Sequence, residues 1–132
     1  MNTELTSLRR KAPSYFHALI STIINQQLSV KAAATIEKRV LSKQSGRVFN
    51  ADKLNHLSQT SLKQCGLSQN KIRYVKTLAK AVVDKKLNFR KLVLQDDETI
   101  REQLISYPGI GQWSADIFLM SGLGRGDVFL CW

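Results

Sequence analysis

Cysteine is scarce: Cys65 and Cys131 are the two that occur in 132 residues, and neither sits in a metal-ligand spacing. One disulfide at most could form, which excludes a disulfide-stapled scaffold and makes a reducing compartment the simpler expectation. Acidic residues are few as well, ten Asp and Glu against twenty Lys and Arg, for a net charge of +10. An imbalance of that size favours a polyanionic partner, with plain solubility as the alternative. Long apolar runs are missing: Phe16 to Ile24 is interrupted by His17, Ser21 and Thr22 and is too short to cross a bilayer. Arg9, Arg10 and Lys11 are followed by no apolar stretch adequate for a secretory signal. The expectation is an intracellular, soluble monomer without membrane contact. Alternating β-branched runs and Asn-Gly turns are also absent, so no strands are expected.

What is present is helical periodicity, in a chain whose 43% hydrophobic content supports a core. Residues 1–13 read as a lead-in ending at Pro13, and residues 14–132 as one domain of seven or eight short helices without internal repeat. Ser14 can cap a helix to about Gln27, whose stripe Phe16, Leu19, Ile20 and Ile23 is continued by Gln27 three turns on. Ser29 caps a second helix, about 30–43, with Ala33, Ile36 and Val40 inward. Asn50 and Ser58 bound a short helix, and another stops at Gly66, which suits a left-handed C-terminal cap. Ser68 opens a helix of about 69–85, with Ile72, Val75, Leu78, Ala79 and Val82 on one face. Arg73, Lys76 and Lys80 lie on the other, either as a solvated face or as a binding surface. A short helix is expected near Phe89 to Leu94. Asp96 or Asp97 caps one running to about Ser106, and Gln112 to about Ser121 forms the next, with Trp113, Ile117 and Met120 on one side.

Between these last two helices lies Tyr107-Pro108-Gly109-Ile110-Gly111. Pro108 fixes φ and ends the first helix. Gly109 and Gly111 are expected at positive φ, clearing side chains from the outer surface of the corner, while Ile110 turns inward. A phosphate could then meet the backbone N–H groups of residues 109–111 at the positive end of the following helix. Such contact ignores base sequence, because phosphates carry none. An ordinary helical hairpin is the bland alternative.

The string from Tyr107 to Asp116, Tyr-Pro-Gly-Ile-Gly-Gln-Trp-Ser-Ala-Asp, resembles the helix-hairpin-helix of the base-excision DNA glycosylases, nearest to the DNA-3-methyladenine glycosylase II type. Ile23 to Ser29 followed by Ala32-Ala33, Gly66-Leu67-Ser68 with Lys71 and Tyr74, and Gly124 to Phe129 are similar to further segments of that family, in the same order. The resemblance implies an all-α helix-hairpin-helix glycosylase fold, a multi-helix orthogonal bundle incomplete at its C-terminus. It implies a monofunctional hydrolase of base-excision repair that binds double-stranded DNA in the nucleoid or nucleus. Such an enzyme flips an alkylated purine such as 3-methyladenine out of the duplex and cuts its N-glycosidic bond. A carboxylate would stabilise the oxocarbenium-like sugar, and aromatic walls would favour the cationic base. No cofactor is implied beyond a monovalent cation on the carbonyls of Ile105, Tyr107 and Ile110.

Carried over by position, Gly109, Ile110 and Gly111 match the backbone-gripping hairpin. Gln27 matches the place near the wedge that fills the gap left by the flipped base, or else is a helix-end hydrogen bonder. Trp113 matches the pocket aromatic, with plain core as the alternative. It stands where bifunctional relatives place a catalytic lysine, so no Schiff-base nucleophile is available there. The family's catalytic aspartate is expected beyond Trp132. Asp127 matches the loop before it and reads as a turn or cap residue, and Asp116 as local structure. The apolar ending Val128 to Trp132 suggests a chain cut in mid-element. The expectation is therefore a fragment with little or no glycosylase activity, and the alternative is a non-catalytic helix-hairpin-helix DNA-binding module.

Overall fold

A computed structural model describes residues 14–122. Among these residues the chain is all-helical. The helices are α1 (Tyr15–Asn25), α2 (Val30–Gln44), α3 (Ala51–His56), α4 (Gln59–Gln64), α5 (Gln69–Val83), α6 (Phe89–Leu92), α7 (Asp97–Ile105) and α8 (Gln112–Ile117). Helix α8 runs on into a π-helical turn, Phe118–Gly122. No described helix is long and apolar enough to cross a membrane. The expectations for Asp127, Cys131 and the Val128–Trp132 ending lie outside the described residues.

Side-chain capping sets the helix starts. Ser14, Ser29, Asn50, Ser58, Ser68, Asn88 and Asp96 each accept a hydrogen bond from the backbone N–H three residues on, which satisfies one of the donors a helix start leaves orphaned. Ser58 thus opens α4 rather than merely closing α3. Gly66 adopts φ of +106° after α4, as its position predicts.

Helix α1 is the axis of the core. Leu19, Ile20, Ile23 and Ile24 are fully buried, and α1 packs on α2, α5, α8 and the π-helical turn. Burying each such side chain contributes about 1.5–3 kcal/mol. Helix α5 presents Ile72, Val75, Leu78 and Ala79 to the core and makes its most extensive contact with α3. Tyr15, Phe89 and Phe118 meet ring to ring at 6.0–6.2 Å, tying α1 and α6 to the last turn. The α2–α3 link is pinned by buried Gln44, whose amide donates to the Val48 carbonyl and accepts from Asn50 N.

One expectation about helix faces is corrected. Lys76 does not belong to a free basic stripe, because its ammonium donates to the carbonyls of Leu54, Asn55 and Leu57 at the end of α3. The inward face of the last helix is Ser114, Ala115 and Phe118, a register that turns Trp113 outward, 59% exposed. The reason is the short link after Ile110: once that side chain is buried, Ser114 is drawn inward to a polar partner described below.

Candidate nucleic-acid interface

The corner between α7 and α8 is a tight turn. Tyr107 N–H donates to the Leu104 carbonyl at 3.1 Å and Ile110 N–H donates to the Tyr107 carbonyl at 3.3 Å. Ile110 is 4% exposed and locks the two helices together, as expected. Its N–H, being engaged within the turn, is not offered to a ligand. The N–H groups of Gly109 and Gly111 have no backbone acceptor among the described residues. Gly111 supplies no side-chain cap to α8, so it leaves the first-turn amides at the positive end of that helix uncapped.

The two glycines have different reasons to be glycine. Gly109 has φ of +88°, and a Cβ there would fall 2.3 Å from Tyr74 Cγ. Its missing side chain lets the turn sit on the Tyr74 ring of α5, a packing demand rather than an outer-surface one. Gly111 departs from expectation: its backbone is extended, φ −99° and ψ −174°, so positive φ does not explain it. A Cβ at Gly111 would meet nothing within 4 Å. There the absent side chain leaves open space over the amides, which is the geometry a phosphate needs.

Facing this corner is the link between α1 and α2. Helix α1 ends at Asn25, two residues earlier than the apolar stripe suggests, and Gln27 turns into the left-handed region at φ of +59°. Gln27 therefore does not continue the stripe, and its side chain is exposed. The residue that couples the two segments is Gln26, whose Nε2 donates to the Gly109 carbonyl at 2.7 Å and to Ser114 Oγ at 2.8 Å. Sequence reasoning passed over Gln26 because its partners lie 83 and 88 residues away. The one local signal was its place in the Gln-Gln pair.

Gln26, Gln27, Gly109, Gly111, Trp113 and Ser114 together line an open cleft of about 410 Å³. Trp113, Gln27, Gly109 and Gly111 are thus brought to one place, while Ile110 lies beneath it. The exposed face of Trp113 leaves it free to stack, which removes the plain-core alternative. Ile105 is 43% exposed; the Tyr107 carbonyl keeps one lone pair beyond the Ile110 N–H it accepts.

Among the described residues, no carboxylate lines this cleft. Asp116 is held by Arg101, Nε to Oδ1 at 2.6 Å, so it acts as local structure. Glu37 on α2 accepts from Ser21 Oγ and Asn25 Nδ2, each at 3.0 Å. Among the described residues no group of three His, Cys, Asp or Glu could hold a metal ion.

Comparison with known proteins places the geometry in context. Residues 20–131 match the HhH-GPD superfamily of base excision DNA repair proteins. A DNA-3-methyladenine glycosylase of Saccharomyces cerevisiae is 36% identical, over 94% of this chain and 45% of its own length. DNA-3-methyladenine glycosylase 1 of Schizosaccharomyces pombe is 30% identical, over 92% of this chain and 54% of its own. The chain spans about half the length of these relatives. Among solved structures, a DNA-3-methyladenine glycosidase from Bacillus halodurans superposes with a TM-score of 0.81 at 38% identity, covering 86% of this chain and 52% of that one.

Proposed function

The chain belongs to the HhH-GPD superfamily of base excision DNA repair proteins, and from that premise we propose that it supplies the DNA-gripping part of a monofunctional glycosylase that hydrolyses the N-glycosidic bond of alkylated purines such as 3-methyladenine. The observation that carries this reading is the Gln26 bridge to Gly109 and Ser114. It joins an open backbone corner, an exposed glutamine and an exposed tryptophan in one cleft. The Gly109 and Gly111 amides and the start of α8 take a phosphate of double-stranded DNA. Gln27, held in the left-handed region at the lip, fills the stack where a base has left it. Trp113 offers its face to the displaced, electron-poor base. The carbonyls of Ile105, Tyr107 and Ile110 would hold a monovalent cation, which would supply positive charge beside the phosphate. The place of work is wherever the DNA lies, nucleoid or nucleus.

Relatives in both sequence and structure support the assignment to alkylpurine repair. The Schizosaccharomyces pombe enzyme, described as a 3-methyladenine DNA glycosylase in complex with abasic DNA, superposes with a TM-score of 0.74 at 26% identity, over 81% of this chain and 53% of that one.

A second reading has its own observation. Hydrolysis needs a carboxylate beside the anomeric carbon, and among the described residues none lines the cleft. On that ground the chain by itself binds DNA as a helix-hairpin-helix module and does not turn over. Incubation with methylated duplex and assay for free 3-methyladenine separates the two: release above a no-protein control overturns the inactivity, and binding without release supports it.

A further inference from the structure

Helix α1 stops where its own sequence pattern would let it continue. The stripe Phe16, Leu19, Ile20 and Ile23 reaches Gln27 at helical spacing, and no proline or glycine intervenes before Ser29. The departure begins at Gln26, whose N–H donates to the Ile23 carbonyl at 3.3 Å, and carrying the helix on through Gln27 would further need the Ile24 carbonyl as acceptor for Leu28 N–H. Leu28 N–H donates instead to the Asn25 carbonyl, at 3.1 Å. The Ile24 carbonyl is occupied by the ammonium of Lys71, at 2.8 Å, and the same ammonium holds the Gln26 carbonyl at 2.5 Å.

Lys71 reaches this point from the first turn of α5, 45 residues beyond Gln26. Helix α1 carries no basic residue in its own last turn, so Lys71 provides the cation that the negative end of the helix favours. The Gln26 carbonyl belongs to the peptide plane between Gln26 and Gln27. Holding that plane anchors one side of the Gln27 φ torsion, which lies in the left-handed region that side-chain-bearing residues seldom adopt. Gln26 is thereby gripped at both ends, its backbone by Lys71 and its side chain by the Gly109 carbonyl and Ser114.

We propose that Lys71 is a positioning residue for DNA distortion: by holding the Ile24 and Gln26 carbonyls it stabilises the early end of α1 and keeps Gln27 at the lip of the cleft, an inference that rests on the DNA-gripping role proposed above. Lys71 itself contacts no DNA in this scheme. Burial holds its ammonium below the ordinary lysine value, in keeping with a group committed to the interior side of the turn.

The test separates gripping from distortion. The full chain is titrated with a duplex carrying one 2-aminopurine beside an abasic-site analogue, reading anisotropy for binding and 2-aminopurine fluorescence for unstacking. The expected result is that Lys71→Met binds with a salt dependence like that of the original chain but loses most of the fluorescence gain. Lys71→Arg, which keeps a charge and several donors, should keep the gain. An undiminished gain in a folded Lys71→Met protein overturns the assignment of Lys71 while leaving the DNA-gripping role standing. A flat fluorescence signal in the original chain, with binding intact, overturns the role of Gln27 and this inference with it. Should Lys71→Met fail to fold by circular dichroism, Lys71→Gln, which keeps a neutral donor, carries the same reading.

Discussion

Replacing each hairpin glycine by alanine should separate folding from binding. At Gly109 two penalties combine. Placing a Cβ in the left-handed region costs about 1–2 kcal/mol, and the backbone there is at φ of +88°. The added carbon also falls 2.3 Å, 2.4 Å and 2.8 Å from three Tyr74 atoms, and overpacking of that kind costs about 1–3 kcal/mol. The sum, about 2–5 kcal/mol, is a large share of the roughly 5–15 kcal/mol that holds a domain folded. Thermal unfolding followed by circular dichroism should therefore show Gly109→Ala with Tm lowered by about 7–18 °C. Tyr74→Ala removes two of the three clashing atoms, so the double variant should be less destabilised than the sum of the singles. At Gly111 the backbone is extended and the space is open, so Gly111→Ala should leave Tm nearly unchanged. Its methyl group stands where the phosphate is to approach, and loss of a charge-assisted hydrogen bond of about 1.5–3 kcal/mol should weaken DNA binding about tenfold or more. An unchanged Tm for Gly109→Ala would refute the packing argument. Unchanged DNA affinity for Gly111→Ala would refute the phosphate approach.

Other perturbations have equally definite outcomes. Lys76→Met strips three carbonyls at the end of α3 of their donor and should cost about 1–3 kcal/mol. It should leave the salt dependence of DNA binding alone, and a slope reduced by about one would show a phosphate contact instead. Trp113→Ala, at an exposed position, should alter stability by no more than about 0.5 kcal/mol. The same change should weaken binding to a duplex carrying an alkylated purine by a stacking increment of about 1–3 kcal/mol, read by anisotropy, and leave binding to an abasic-site duplex nearly unchanged. Burial holds His17 below the ordinary imidazole value, against the opposing pull of Glu37, and its Nδ1 accepts from Phe49 N at 3.0 Å. The unfolded chain therefore takes up the proton first on acidification. Stability should be full above the ordinary value of about 6.5 and fall as pH drops toward the lowered folded value. His17→Gln should flatten that decline in a Tm-against-pH series.

Much of the fold was legible because it is written locally. Helix starts at Ser14, Ser29, Asn50, Ser68 and Asp96 depend on a side chain and an amide three residues apart, which sequence displays directly. The inward turn of Ile110 and the left-handed caps at Gly66 and Gly109 were legible for the same reason. What escaped the sequence is governed by contacts between distant segments. The end of α1 is held by Lys71, the importance of Gln26 depends on Gly109 and Ser114, and Lys76 is claimed by the carbonyls of another helix. Gly111 was misjudged because two opposite causes, positive φ and an open approach, both select glycine. Trp113 was open to two readings because helical periodicity cannot tell an outward aromatic from an inward one when the link before it is so short.

The central claim is that the corner at Gly109–Gly111 and the Gln26–Gln27 turn grip the DNA backbone. It is tested most directly by measuring the affinity of the chain for an abasic-site duplex across a salt series. Tight binding at low salt that weakens linearly in a log–log plot is the expected result. Absence of binding at low salt, or an affinity indifferent to salt, would contradict it.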